Sequence, residues 1–235
     1  MPRIVSRQWI ETATATQVDI EGQPVGYGYQ WWVHEPFGFA MASGYGGQFV
    51  LVDPAHELVV VFTSHAEPFT AWGITNEILL RTLRSDAPLP PNPAGEQRLA
   101  AAVLRAREGP ERRDVELPAA AAEVSGVTYE FRPNDLGLVT FRLTFGEDAA
   151  AFELHAEEET VTSEIGLDRR YRITHREVPV ASRGSWFGDD TFVVTYQQLG
   201  LATGGELQFT FVDDRADVRL RNLIDTEKMV ADRVG

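Results

Sequence analysis

From Val124 to the C-terminus the chain is a succession of short alternating apolar runs, and this pattern restricts its fold more than any other feature. Val127 with Tyr129 and Phe131, Leu138 to Phe145, Ala151 to Leu154, Tyr171 with Ile173, Thr191 to Tyr196, Leu207 to Phe211 and Val218 to Leu220 each read as a strand. A period of two sends successive side chains to opposite faces, so each run offers one face to a core and one to water. Turn signals separate the runs, among them Pro133-Asn134-Asp135, Gly146-Glu147-Asp148, Gly188-Asp189-Asp190 and Gly204-Gly205. About seven or eight such strands predict an all-β barrel or sandwich over residues 113–235.

The first third reads differently. Ser6 to Thr14 predicts a short helix with Ser6 as N-cap and with Trp9 and Ile10 facing inward. Gly26 to Val33, rich in aromatic β-formers and followed by Pro36, predicts one strand, and Phe39 to Ser43 another. Gln48 to Val52 and Leu58 to Phe62 flank Asp53-Pro54-Ala55-His56-Glu57, the pattern of an antiparallel hairpin. The second of these runs is apolar on both faces, which predicts a central strand covered by helices. Thr70 to Leu83 supplies a covering helix, with Trp72, Ile74, Ile78, Leu79 and Leu83 near one face.

The expected fold class is therefore α+β: an antiparallel sheet with a covering helix over residues 1–85, then the all-β domain over 113–235. Residues 86–112 between them comprise a stretch stiffened by Pro88, Pro90, Pro91 and Pro93, and a helix from Gln97 to Glu108 stopped by Gly109-Pro110.

Composition removes several function classes. A net charge of −14 with no basic run repels phosphate backbones, which argues against nucleic-acid binding. Lys228 is the one lysine, and there is no cysteine to form a disulfide, a thiolate nucleophile or a zinc–sulfur site. No window approaches 18 apolar residues, so no membrane span is expected, and the first ten residues lack a signal-peptide core. The chain as written is expected to be cytoplasmic; a longer parent could be exported. His34, His56, His65, His155 and His175 show no metal-binding spacing, so neither metal nor cofactor is expected and solvated histidines are the default. Ser64 and His65, adjacent on a strand, point to opposite faces and read as a strand end reaching solvent. Glu157-Glu158-Glu159 reads as a solvated turn, and Trp186 as core or as lining of a barrel mouth.

Three stretches carry a family resemblance. Tyr27-Gly28-Tyr29-Gln30-Trp31-Trp32, Gly44-Tyr45-Gly46-Gly47-Gln48 and Val59-Val60-Val61-Phe62-Thr63-Ser64 resemble the C-terminal half of the class C β-lactamases and related penicillin-recognising serine hydrolases. The resemblance implies that Tyr45, Gly46 and Gly47 occupy the third motif of that family. It also implies that the backbone N–H of Gln48 is an oxyanion donor, a group whose loss typically costs about 10²–10³ in rate. The family's Ser-x-x-Lys has no counterpart, since no serine here has a lysine three residues later. A fragment inactive alone follows. Its parent would hydrolyse a β-lactam, an ester or a D-amino-acid peptide, and residues 27–62 would meet either the missing N-terminal half or a second copy. An enzyme using Tyr45 as base is disfavoured, because a tyrosine hydroxyl ordinarily titrates near about 10 and no lysine stands near to lower it. Ser125-Gly126-Val127-Thr128-Tyr129 and Arg183-Gly184-Ser185-Trp186-Phe187 resemble the lipocalin-like extension carried by some of these hydrolases. That implies the alternative function, a non-catalytic β-barrel binding a small apolar ligand or a protein partner.

Overall fold

A computed structural model describes residues 4–66, 70–75, 77, 81–82, 85, 87 and 89–235. It divides into two compact units, Met1–Pro90 and Pro91–Gly235.

In the first unit the helix α1 (Arg7–Ala13) starts where expected, with the Ser6 side chain accepting the N–H of Trp9 at 3.1 Å. Its apolar residues do not turn inward as expected. Trp9 and Ile10 are 53% and 52% exposed, and only Ala13 of the helix is buried. Two turns of helix offer too narrow a stripe to bury both, and Trp9 instead stacks flat on Tyr29 at 5.6 Å between ring centres.

Six strands follow: β1 (Val18–Asp19), β2 (Gly26–Tyr27), β3 (Trp32–His34), β4 (Phe39–Gly44), β5 (Gln48–Asp53) and β6 (Leu58–Phe62). They form one antiparallel sheet in sequence order, β1-β2-β3-β4-β5-β6. The single strand expected over Gly26–Val33 is two. Gln30 adopts a left-handed φ of 67° and the Gly28 N–H donates to the Trp31 carbonyl at 2.7 Å, so the chain reverses there. The hairpin of β5 and β6 forms as read, and Asp53 builds its turn by accepting the N–H groups of Ala55 and His56. β6 is not central. Among the described residues no strand lies beyond it, and Val59 and Val61 are 61% and 60% exposed. Phe39, Phe49, Leu51 and Val60 are the buried cluster of the sheet. The expected covering helix is described only as α2 (Thr70–Ile74); Ile78, Leu79 and Leu83 lie outside the described residues. The expected α+β domain reduces to a mostly β sheet unit.

The second unit opens with α3 (Pro93–Glu108), no residue of which is buried. It begins earlier than Gln97 because Pro93, read as linker, sits at the first helical turn where its fixed φ suits the helix. Asn92 caps it through Gly95 N–H at 3.0 Å. After α4 (Ala119–Val124) come ten strands: β7 (Thr128–Phe131), β8 (Leu138–Phe145), β9 (Ala149–Ala156), β10 (Thr160–Gly166), β11 (Arg172–Thr174), β12 (Val180–Phe187), β13 (Thr191–Gln198), β14 (Gly204–Val212), β15 (Arg215–Arg221) and β16 (Thr226–Arg233). The order β10-β9-β8-β7-β16-β15-β14-β13-β12 closes on itself where Gly166 meets Arg183, and β11 lies along β12 at this seam. Of the barrel and the sandwich, the barrel is the one that forms. Closure removes the free edges an open sheet would leave.

Small residues make the closure fit. A Cβ on Gly166 would collide with the Arg170 carbonyl, and one on Gly184 would enter the Phe192 ring. Inside the barrel, Tyr129, Phe141, Leu143, Phe152, Ile165, Phe192, Val194, Phe209 and Val218 form one buried cluster.

Candidate functional site

Alternation along each strand decides which side chains enter the barrel. Tyr129 and Phe131, Phe141, Leu143 and Phe145, Phe152 and Leu154, and Leu207, Phe209 and Phe211 all point inward. The intervening residues, such as Glu130, Arg142 and Gln208, face outward, and Arg142 pairs with Glu153 on the outer wall.

One end of this interior is shut. Helix α4 lies there with Ala121 and Val124 buried. It is tied down by the Phe145 N–H donating to Ser125 Oγ at 2.9 Å and the Gly126 N–H donating to the Leu143 carbonyl at 2.8 Å. Behind it four rings pack together. Phe145 meets Phe192 edge-on at 4.9 Å, and Trp186 lies 5.3 Å from Phe145, 5.4 Å from Phe192 and 6.0 Å from Phe211. Trp186 thus belongs to the closed end, and its indole N–H is buried without a partner. At mid-height Tyr129 stacks on Phe141 at 5.1 Å, and Phe141 meets Phe209 at 4.9 Å. Burial raises the Tyr129 hydroxyl above its ordinary range, the Arg233 charge opposing and Asp214 reinforcing, so it is neutral at physiological pH.

The closed end also carries the ion network that pins the seam. Asp168, with its side chain 4% exposed, accepts from Arg172 Nη1 at 3.0 Å and lies 3.4 Å from Arg112 Nε. Arg172 reaches Asp148 at 3.0 Å and Glu164 at 3.7 Å, joining β10, β11 and the turn between β8 and β9. Burial alone would raise the Asp168 carboxyl, but the Arg172 hydrogen bond, the Arg170 N–H and the two arginine charges outweigh it and hold the group below the usual carboxylate range.

The opposite end is less fully buried. Leu138, Leu154, Leu207 and Leu220 sit there only partly buried against the ring cluster, and Tyr196 shares the inward face of β13. The rim is made by the turns between strands. Where β10 begins and the turn from β11 to β12 passes, Val161, Thr162, Thr174, His175, Arg176 and Gln198 line a cleft of about 520 Å³. Asp135, Glu157, Glu158 and Glu159 surround a second depression on the same rim, and the glutamates form the turn between β9 and β10 as read from the sequence.

The residues singled out in the first unit come together, though not around a nucleophile. Tyr45, Gly46 and Gly47 form the turn joining β4 to β5, with Gly46 and Gly47 at φ 73° and 77°, and Gln48 pairs with Gly44 across it. Gln48 Nε2 donates to the Ser64 carbonyl at 2.5 Å, and Ser64 Oγ donates to the Gly47 carbonyl at 2.8 Å. Tyr45 is 48% exposed. Ser64 and His65 follow the end of β6 and are both partly exposed, but they also contribute inward: Ser64 braces the turn, and His65 Nε2 is buried without a hydrogen-bond partner. His34 is half-buried and stacks on Phe39 at 4.7 Å, and burial lowers its pKa. His56 Nδ1 lies 2.7 Å from Asp53 Oδ2, an interaction that secures the hairpin turn. Among the described residues no group of histidines and carboxylates has the spacing of a metal site.

No family model matches the sequence, and no curated protein matches it. Solved structures do match over the barrel. A Schistosoma mansoni fatty acid binding protein in complex with arachidonic acid is 8% identical, with 50% of this chain and 100% of that one covered and a TM-score of 0.42. Human cRBP IV is 11% identical, covering 47% and 98%, with a TM-score of 0.38. A secretory abundant heat soluble protein from Ramazzottius varieornatus is 8% identical, covering 40% and 70%, with a TM-score of 0.36. The expected membership of the β-lactamase and penicillin-binding hydrolases is therefore corrected. No family model places the chain among those hydrolases, and these solved structures are fatty-acid-binding and related barrels; Tyr45, Gly46, Gly47 and Gln48 lie at the turn from β4 to β5.

Proposed function

We propose that the barrel of residues 113–235 is a non-catalytic binding module for a small apolar ligand. The observation that carries this reading is the asymmetry of its interior. One end is sealed by α4 and a cluster of rings, while the other presents partly buried leucines to the rim. A barrel of about this strand number is just wide enough to be filled by its own side chains or to hold one small ligand, and an apolar pocket with few polar groups is the usual form of such a site. The ligand enters between the start of β10 and the turn after β11, and rests on Leu154, Leu207 and Leu220.

The full chain should bind the neutral apolar dye N-phenyl-1-naphthylamine saturably at one site, read by its emission. Leu154→Trp with Leu220→Trp, which fill the open half, should weaken binding by roughly tenfold. Linear, non-saturating emission with the unaltered chain would remove this reading.

A second reading concerns the first unit. Exposed Val59 and Val61 on an edge strand with no charged residue, Leu58 to Phe62, favour self-association through residues 27–62 by pairing of β6 with its counterpart in a second copy. Sedimentation of the full chain tests it, since a monomer at high concentration is incompatible with such pairing.

A further inference from the structure

If the barrel holds an apolar ligand as proposed above, its charges also restrict the head of that ligand. In the open half the inward positions include Leu138, Leu154, Val161, Tyr196, Leu207 and Leu220, and no arginine or lysine shares that face. Every residue of the barrel is described, and Arg233, which shares the inward face of β16 opposite Tyr129, lies at the closed end. Arg172, partly buried, is at the other end, held by Asp168, Asp148 and Glu164. A carboxylate drawn into the recess would lose its water and find no counter-charge, which is unfavourable unless the group is neutralised.

The rim adds a field of the same sign. Asp135, Glu157, Glu158 and Glu159 surround one depression there, Glu177 lines the neighbouring cleft, and Glu227, the second residue of β16, pairs opposite Leu220. Against them stand Arg176, whose Nε donates to the Val178 carbonyl at 3.3 Å, and His175. A mouth lined by one sign of charge repels ligands of that sign and concentrates those of the other. The net charge of −14 on the whole chain acts in the same direction.

We infer that the barrel selects against anionic amphiphiles and takes apolar ligands whose head is uncharged or cationic. The inference comes from two independent features, an open half without an inward cation and a rim with an excess of carboxylates. It separates this barrel from one built to hold a fatty carboxylate.

The test compares three probes with the same chain length on the full protein: dodecylamine, dodecanol and dodecanoate, each displacing N-phenyl-1-naphthylamine at pH 7 and low ionic strength. Dodecylamine and dodecanol should displace the dye at concentrations at least about tenfold below dodecanoate. The rim variant E157Q/E158Q/E159Q, altered only in an exposed turn, should narrow that gap by several-fold and leave dodecanol unchanged. Raising salt should narrow it too. Dodecanoate displacing as well as or better than the other two would overturn the inference while leaving the apolar site in place. Failure of the dye itself to bind saturably would instead remove the apolar site, and the inference with it.

Discussion

The sheet of the first unit and the barrel of the second use the same material, antiparallel strands joined by tight turns, and solve the edge problem differently. In the sheet, Phe39, Phe49, Leu51 and Val60 make a small cluster on one face, while the terminal strand β6 keeps Val59 and Val61 in contact with water. In the barrel, the last strand pairs with the first, Ala231 opposite Phe131, and the seam at Gly166 and Arg183 removes the edge altogether. Closure lets every strand contribute to one interior. A barrel can therefore bury aromatic rings on all sides of a common axis, whereas an open sheet needs other elements to cover each face.

The sharpest way to break this comparison is to remove a large buried side chain from each unit. Phe209→Ala in the barrel should cost about 3–5 kcal/mol, and Leu51→Ala in the sheet about 2–5 kcal/mol, because each leaves a cavity the surroundings cannot fill. Amide exchange on the full chain checks the partition. Phe209→Ala should speed exchange throughout residues 127–233 and leave β5 as it was, and Leu51→Ala should do the reverse. If either substitution loosens both units equally, the two cores are not separate.

The same contrast explains which parts of the fold can be read from the sequence. Runs such as Leu138 to Phe145 and Leu207 to Phe211 alternate cleanly because one face meets the ring cluster and the other meets water. β10, β12 and β16 give a weaker signal. β10 is largely threonine, serine and glutamate before Ile165, β12 carries Ser182 and Gly184 inward to leave room for rings, and β16 has only Met229 and Ala231 buried among charged neighbours. The apolar run Leu58 to Phe62 misleads in the other direction, because composition cannot distinguish a strand covered on both faces from an edge strand waiting for a partner. The grouping of leucines at one end of the barrel was not legible. Leu154, Leu207 and Leu220 are far apart in the chain, and only the strand registers bring them to one end. The cluster of Tyr45, Gly46, Gly47 and Gln48 was legible as a tight turn, while its catalytic reading rested on a resemblance alone.

A smaller effect is expected at the barrel seam. Asp168→Asn should cost about 1.5–3 kcal/mol, since it removes the one mostly buried carboxylate of the network and leaves Arg172 only the exposed Asp148 and Glu164. Denaturant unfolding of the barrel measures it. The pH dependence follows with a definite sign. The folded carboxyl is held below its unfolded value, so its contribution is fully present above the ordinary aspartate range and is lost as pH falls below about 4 through the folded value. The Asp168→Asn variant should therefore lose less stability than the unaltered chain between about pH 5 and about pH 3. Equal slopes in that window would mean that Asp168 does not carry the acid response.

Smaller again is the cap of α1. Ser6→Ala removes the acceptor for the Trp9 N–H and should cost about 0.5–1 kcal/mol, confined to the first unit. Exchange at the first turn of α1 reports it, and an unchanged rate there would show that water replaces the hydroxyl without loss.

The last prediction has the smallest effect on stability and bears most directly on the difference between the two regions. Val59→Lys with Val61→Lys alters two side chains already exposed on β6, so folding should change by no more than about 0.5 kcal/mol. Lysine on an edge strand opposes pairing with another chain, because the approaching copy brings the same charge. If β6 is the route of self-association, the double variant should sediment as a monomer at concentrations where the unaltered chain does not. Matching lysines on the outer wall of the barrel, at Val193 and Thr195 of β13, should leave association unchanged, because β13 is paired on both sides by β12 and β14 and offers no free backbone. Association that survives at β6 and falls with the β13 lysines would reverse the comparison, making the closed barrel rather than the open sheet the sticky surface.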